Sequence, residues 1–259
     1  VCRMSVNIIK VGGAVVEDPQ LRSEFLSLFS SMPGRRILVH GGGRTATAIA
    51  GKLGIETKMA EGRRITDEAM LEVVTMVYGG LVNKRIVAEL QMSGVNAIGL
   101  TGADLNCIRA HKRPVKDIDY GYVGDVDIVN ASALMSLIDA GAVPVIAPLS
   151  FGSGCGLLNT NADTIATSVA TAFASVTSEV ILTFCFEKKG VLSDPEDENS
   201  VIREITPEIY ENLKKDGTVS GGMIPKLDNA FASLELGVSK VVITNAAELG
   251  RGTGTEVHL

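Results

Sequence analysis

The sequence predicts an α/β protein, a three-layer αβα sandwich around a mainly parallel central sheet. Short apolar segments alternate with segments of helical periodicity along most of the chain, which is typical of this class. Glycines follow the first two predicted strands directly, at residues 12–13 and 41–43, where each strand turns into a helix. The 259 residues are 46% hydrophobic, so the chain is long and apolar enough for one large core or for two fused lobes.

The predicted helices begin at capping residues, proline or glycine, and several end at glycine or proline. They cover residues 18–32, 43–54, 66–90, 130–138 and 162–176, a segment that starts at 206, and residues 224–236. The third of them is interrupted by Gly79-Gly80, where we expect a kink or a close helix contact. Its long apolar stripe fits ordinary core packing and a dimer interface equally well.

The predicted strands are the short apolar segments between these helices. They cover residues 6–11, 36–40, 97–100, 142–149, 180–184, 240–244 and 252–259. Residues 112–129 are polar, contain glycines and alternate in part, which predicts a β-hairpin lying over the site as a flap. The charged segment 187–199 predicts a surface loop.

Composition and charge argue against several classes of function. The net charge of −6 disfavours nucleic-acid binding, and 4% aromatic residues without Trp disfavour stacking platforms for single strands. No apolar run approaches the ~20 residues of a membrane-spanning helix, and the first ten residues lack a signal-peptide pattern. The four cysteines show neither C-x-x-C nor zinc-ligand spacing, so we expect free thiols, no protein-held metal and a cytoplasmic location.

Three glycine clusters, two of them accompanied by a lysine, predict an anion-binding site. Lys10 precedes Gly12-Gly13, and Lys226 follows Gly222 by four residues. Glycines let the backbone approach an anion closely, and two lysines would flank a phosphoryl group in transit. Each cluster alone is better explained as a tight turn, and only the three clusters together with both lysines favour a function. Both the P-loop motif and G-x-G-x-x-G are absent.

Five motifs in order resemble the amino acid kinase family over nearly the whole chain. They are I-K-V-G-G at 9–13, V-H-G-G-G at 39–43, G-R-R-I-T-D at 62–67, L-N-T-N-A-D at 158–163 and G-G-M-I-P-K at 221–226. The asparagine pattern resembles the branch that acts on acylated glutamate rather than the uridylate, aspartate and carbamate kinases. The resemblance implies ATP-dependent phosphorylation of the γ-carboxylate of N-acetyl-L-glutamate in arginine biosynthesis, with Mg²⁺ bound through the ATP phosphates.

The resemblance also implies residue roles. Lys10 and Lys226 would stabilise the phosphoryl group in flight, and Asp163 would hold both lysines. Arg64 would pair with the substrate α-carboxylate, and Asn159 would contact the same end and the acylated nitrogen. Main-chain amides on the phosphate and substrate sides would come from Gly12, Gly13, Gly42, Gly43 and Gly222. A γ-carboxylate is ionised at neutral pH, so this reaction needs no general base, and we interpret His40 as structural.

The same resemblance divides the chain into an N-terminal lobe, 1–177, for the substrate and a dimer contact, and a C-terminal lobe, 178–259, for ATP. We expect a homodimer insensitive to arginine, because no extra helix precedes the first strand. Two departures from the family stand out. Arg63 replaces an apolar residue, which leaves N-succinyl-L-glutamate open as the substrate, and residues 183–191 lack the usual aspartate on the nucleotide side. A glutamate 5-kinase-like enzyme and a non-catalytic ligand sensor remain alternatives.

Overall fold

A computed structural model describes residues 5–194, 196–219 and 223–259 of the chain. Within these residues the central sheet has eight strands. In chain order they are β1 (Ser5–Val11), β2 (Arg35–His40), β5 (Ala97–Leu100), β8 (Val143–Ile146), β11 (Glu179–Phe186), β12 (Glu204–Ile205), β13 (Lys240–Asn245) and β14 (Thr255–Val257). Their spatial order is β12-β14-β13-β11-β1-β2-β8-β5. Every pairing is parallel except β13 with β14, so the predicted fold class is confirmed.

Helices cover both faces of this sheet. They are α1 (Gly13–Glu17), α2 (Pro19–Ser31), α3 (Gly43–Lys52), α4 (Glu68–Val74), α5 (Asn83–Met92), α6 (Ala131–Asp139), α7 (Ala162–Ala174), α8 (Pro207–Lys215) and α9 (Met223–Glu235). Side-chain caps start several of them where the sequence predicts a start. Asp18 accepts from the amides of Gln20 and Leu21, both at 2.9 Å, and Asn161 accepts from the Asp163 amide at 2.7 Å.

Alternation along the buried strands creates two separate cores. Val6 and Ile8 of β1 pack in the core that contains α7 and α9, whereas Ile9 and Val11 pack in the core on the opposite face. Because side chains on a strand alternate between faces, Lys10 points toward the α7 and α9 side. The alternation therefore directs this lysine toward the helices that carry Asp163 and Lys226.

The predicted interruption of the third helix is a π-helical segment, Thr75–Val82, between α4 and α5. Gly79 and Gly80 lie within it. A π segment widens the turn and re-aims the side chains next to it. Here it buries Tyr78 beside the glycine turn at 41–43, where a Cβ on Gly42 would come within 3.1 Å of the Tyr78 ring.

The predicted hairpin at 112–129 was wrong in its bounds. Its first arm is β6 (Ile108–Lys112), its second is β7 (Gly124–Val129), and residues 113–123 connect them. These strands join β9 (Leu149–Gly152) and β10 (Gly156–Asn159) in a second sheet of order β10-β9-β6-β7. A further short hairpin pairs β3 (Met59–Ala60) with β4 (Arg63–Arg64). The single strand predicted at 142–149 is divided between β8 and β9, which belong to different sheets. β10, β12 and this short hairpin were not predicted.

None of the helices in the described part of the chain combines the length and the apolar character that a bilayer-spanning helix needs.

Candidate active site

The predicted site residues within the described part of the chain gather around the carboxyl edge of the parallel strands. β1, β2 and β11 are neighbours and run in the same direction, so they end at one edge. β2, β8 and β5 lie on one side of β1, and β11, β13, β14 and β12 lie on the other. Open α/β sheets bind ligands in the crevice at such a switch point.

Asp163 bridges the two lysines that the sequence analysis singles out. Lys10 Nζ lies 2.7 Å from Asp163 Oδ1, and Lys226 Nζ donates to Asp163 Oδ2 at 3.1 Å. All three side chains are mostly buried, with exposed fractions of 11% for Lys10, 18% for Asp163 and 24% for Lys226. Two ammonium groups thus share one carboxylate, which leaves a net positive charge at the sheet edge.

Burial alone would raise the pKa of Asp163. The charges of Lys10 and Lys226, together with their hydrogen bonds, outweigh this effect and hold the pKa of Asp163 below its ordinary value. The carboxylate is therefore ionised at neutral pH and remains a fixed anchor for both lysines. The Lys226 ammonium also lies 5.9 Å from the centre of the Phe186 ring, a cation–π contact that the sequence analysis did not anticipate.

The two glycine turns after β1 and β2 touch each other. A Cβ on Gly41 would lie 2.7 Å from the Gly13 nitrogen, so only glycine fits at residue 41 without a shift of the backbone. Among the described residues, the N–H groups of Gly13, Gly42 and Gly43 have no protein acceptor. These three amides are available to an anion.

The predicted phosphate contact from the Gly12 amide does not fit the structure. The Gly12 N–H donates to the main-chain oxygen of Cys185 at 3.0 Å, so it is already used to join the end of β1 to β11. Gly222, the remaining predicted amide donor, lies outside the described residues.

Arg64 is a buried cation without a carboxylate partner among the described residues. Its Nη2 donates to the Gly43 carbonyl at 2.8 Å and to the Thr47 hydroxyl at 2.9 Å, and its Nη1 lies 3.3 Å from the Thr57 hydroxyl. A buried guanidinium held only by neutral groups favours binding of an anion. The arrangement therefore suits an anionic ligand beside the glycine turn.

Arg64 and Asn159 line one cavity of about 220 Å³ with the glycine turns. Asn159 donates to the Thr66 hydroxyl at 2.9 Å, which fixes its amide across the cavity from α3. The wall also contains Val123 and Pro148, which directly precede β7 and β9 of the second sheet, and Ala162, the first residue of α7. Asp163 follows Ala162 directly, so the lysine cluster adjoins this cavity although it does not line it.

Two residues near the glycine turns were not predicted from the sequence. Tyr78 lines the cavity, and the Glu17 carboxylate accepts from the Thr45 amide at 2.8 Å, which caps the first turn of α3. Burial raises the pKa of Tyr78, against the opposing effect of the nearby Arg64 charge, so its hydroxyl stays protonated at neutral pH. No motif marks either residue, because their proximity depends on how the π-helical segment and α1 pack.

The site offers charge neutralisation and main-chain amides rather than acid–base chemistry. No group of three or more His, Cys, Asp and Glu side chains suited to a metal ion exists within residues 5–194, 196–219 and 223–259. Two lysines beside three free amides suit a polyphosphate, and the buried arginine suits a small carboxylic acid. This combination is what transfer of a phosphoryl group to a carboxylate requires.

Comparisons with known proteins agree with this chemistry. The model of the amino acid kinase family matches residues 5–245. An acetylglutamate kinase of Phocaeicola vulgatus is 58% identical over 97% of this chain and 98% of its own length. One of Bacteroides thetaiotaomicron is 55% identical over 98% and 99%, respectively. Among solved structures, smu.665 from Streptococcus mutans aligns with a TM-score of 0.80 and 27% identity, over 97% of this chain and 98% of that chain.

Proposed function

This chain belongs to the amino acid kinase family, and we propose that it transfers the γ-phosphoryl group of ATP to the γ-carboxylate of N-acetyl-L-glutamate. The product is an acyl phosphate, and the reaction is the second step of arginine biosynthesis. The observation that carries the proposal is the Lys10–Asp163–Lys226 cluster beside the glycine turns. A non-catalytic sensor would have no use for two ammonium groups held where charge develops during phosphoryl transfer.

Charge neutralisation is the main task we assign to this cluster. The attacking γ-carboxylate has an ordinary pKa of about 4.3, so it is already an anion at neutral pH and no residue has to remove a proton. Lys10 and Lys226 offset the negative charge that spreads over the phosphoryl oxygens, while Asp163 keeps both ammonium groups in position. ATP use follows from the kinase family, and we propose that Mg²⁺ binds through the ATP phosphates, as is usual for this ion.

We assign binding of the amino-acid substrate to the cavity lined by Arg64 and Asn159. Arg64 would hold the α-carboxylate, and Asn159 the same end of the substrate with its acylated nitrogen. The amides of Gly13, Gly42 and Gly43 would then face the reacting end. On this proposal residues 1–177 form the substrate lobe and residues 178–259 the ATP lobe, although one continuous sheet crosses their boundary.

A hydroxamate assay tests the proposed function directly, because hydroxylamine traps acyl phosphates. The purified chain is incubated with ATP, Mg²⁺ and either N-acetylglutamate or free glutamate. We expect product with N-acetylglutamate alone. Product from both substrates would favour a glutamate 5-kinase-like enzyme, and no product with either, in a chain that still binds the acylated substrate, would favour a sensor.

Replacing Arg64 with leucine should raise the KM for N-acetylglutamate by about 10- to 100-fold and leave the KM for ATP near the native value. The reason is the loss of a charge-assisted hydrogen bond to the α-carboxylate, which contributes about 1.5–3 kcal/mol. Steady-state kinetics with each substrate varied in turn measures both constants. Arg109→Leu, an exposed arginine on β6 outside this cavity, is the matched control. An unchanged KM for N-acetylglutamate would remove Arg64 from the substrate site.

N-succinyl-L-glutamate is the second candidate substrate, because Arg63 lines the same cavity. Arg63 is exposed and has no carboxylate partner among the described ion pairs, so it can face a second carboxylate at the end of a longer acyl chain. If this cation selects the substrate, kcat/KM should be higher for the succinyl than for the acetyl compound, and Arg63→Ala should abolish that preference. A native chain that strongly prefers the acetyl compound would exclude the idea.

We also propose a cytoplasmic homodimer. Met76 and Leu81 of the π-helical segment are 53% and 41% exposed, which leaves part of the long apolar helix uncovered in the single chain. Sedimentation velocity decides the oligomeric state, and a monomer at micromolar concentration would contradict this contact.

A further inference from the structure

His40 belongs to a buried polar network directly behind the glycine turn at 41–43. It is the last residue of β2 and has no exposed surface. Its Nδ1 lies 2.8 Å from the Gly41 carbonyl oxygen, and its Nε2 lies 3.1 Å from Asn83 Nδ2. Asn83, also buried, donates from the same nitrogen to the Val145 carbonyl at 2.9 Å.

The partners of this network fix the position of each proton. Main-chain carbonyls only accept hydrogen bonds, so the Nδ1 of His40 carries a proton and donates it to Gly41. The Val145 carbonyl likewise needs a donor, so the side-chain nitrogen of Asn83, and not its oxygen, faces it. The second hydrogen of that nitrogen is donated to the Nε2 of His40, which is therefore unprotonated. The Asn83 oxygen accepts from Lys84 Nζ at 3.2 Å. Every donor therefore meets an acceptor.

The network is built for a neutral imidazole. Burial lowers the pKa of His40 from 6.5 to about 4, even though the hydrogen bond to Gly41 opposes the shift. Gly99 of β5 leaves room for the Asn83 side chain, because a Cβ at this residue would overlap the Asn83 side-chain oxygen. Removing any one member of this network would leave a buried polar group unpaired, which destabilises the fold. An apolar side chain would fill the same space without that risk, so the network suggests a further role.

The orientation of one peptide group links this network to the cavity. The Gly41 carbonyl and the Gly42 N–H belong to the same peptide unit, and the structure has no cis peptide bonds among the described residues. In a trans peptide the two groups point in opposite directions. A carbonyl held back against His40 therefore turns the Gly42 N–H away from the core, toward the cavity that Gly42 lines.

We propose that His40, fixed by Asn83, is a positioning residue that aims the Gly42 N–H at the reacting end of the bound substrate. The inference rests on the proposed kinase function only for the identity of that substrate. It assigns a role in transition-state stabilisation to a residue that touches neither substrate nor ATP.

The first test is independent of activity. Long-range ¹H–¹⁵N spectra distinguish the two neutral tautomers of histidine, and the chain contains only three histidines. His40→Asn identifies the His40 signals by their disappearance. We expect the Nδ1–H tautomer for His40 and no titration between pH 5 and 8. A proton on Nε2, or a His40 that becomes charged in this range, overturns the inference.

The second test is kinetic. His40→Leu removes the donor to Gly41 and should lower kcat by about tenfold or more, up to the 10²–10³ typical of losing one oxyanion donor, with little change in the KM for ATP. His40→Asn places an amide nitrogen near the Nδ1 position and should recover most of kcat. Leu90→Ala is the control: Leu90 is fully buried in α5, the helix that carries Asn83. This variant should have a lower melting temperature and an unchanged kcat.

The outcomes separate the two proposals. A native chain without kinase activity contradicts the proposed function, while the tautomer experiment still decides the network. An active native chain whose His40→Leu variant folds and keeps the native kcat contradicts the positioning role.

Discussion

Replacing Lys226 with alanine is expected to lower kcat by about 10²–10³ while the KM values for ATP and N-acetylglutamate change by only about threefold. The Lys226 ammonium is held by Asp163 at 3.1 Å and is mostly buried, so its charge is poorly screened and its position is fixed before ATP binds. Such a group contributes most where negative charge spreads during transfer. Steady-state kinetics on the purified variant measures this effect.

The control for this variant is Lys215→Ala. Lys215 is an exposed lysine in the last turn of α8, so the same chemical change should leave kcat near the native value. If Lys226→Ala instead raises KM and keeps kcat, Lys226 is a ground-state binding group. Activity equal to the native chain would remove it from the site altogether.

The sheet was predictable because local and tertiary preferences agree along it. The apolar segments at 6–11, 36–40 and 180–184 all became central strands, and the capping residues Asp18 and Asn161 start helices in the structure. Parallel strands buried on both faces leave a continuous apolar signal that needs no knowledge of the partner strand. Fold class therefore followed from pattern alone.

The second sheet was harder to predict because its strands are short and partly polar. β6, with the sequence I-R-A-H-K, has only two buried residues and reads as loop without its partner β7. Pairing across the sheet, rather than intrinsic preference, makes such a segment a strand. For this reason the first arm of the hairpin, β6, was placed too late in the chain.

Some of the site residues were predictable from the sequence and others were not. Lys10 and Lys226 were predicted from their glycine clusters, whereas the role of Asp163 came only from the family resemblance, because no spacing rule brings such distant residues together. Gly12 and Gly13 belong to the same motif, yet the Gly12 N–H donates to the Cys185 carbonyl because β11 pairs alongside the end of β1. Tyr78 and Glu17 reach the glycine turns only through the packing of their helices. A motif therefore identifies a turn, and only the neighbouring strands decide which of its amides remain free.

Asp163→Asn is expected to have the largest combined effect on stability and activity. Removing the carboxylate charge leaves the Lys10 and Lys226 ammonium groups facing each other in a mostly buried site, and breaking a buried pair in this way costs about 3–5 kcal/mol. Without their anchor the lysines also lose their alignment, so we expect kcat to fall by at least about 10². Thermal or denaturant unfolding and steady-state kinetics on the same preparation measure both.

The pH dependence identifies the source of the stability loss. Because the folded pKa of Asp163 is below the ordinary value, its contribution is complete above the unfolded pKa of about 3.9 and is lost as pH falls through the folded pKa. The free-energy gap between the native chain and Asp163→Asn should thus be constant from about pH 5 to 7 and narrow below about pH 4. Asp139→Asn, in an exposed pair with Arg35, is the matched control and should cost under about 1 kcal/mol. A variant as stable as the native chain would mean that the carboxylate does not hold the lysines, and any loss of kcat would then have to come from a direct contact with the ligand.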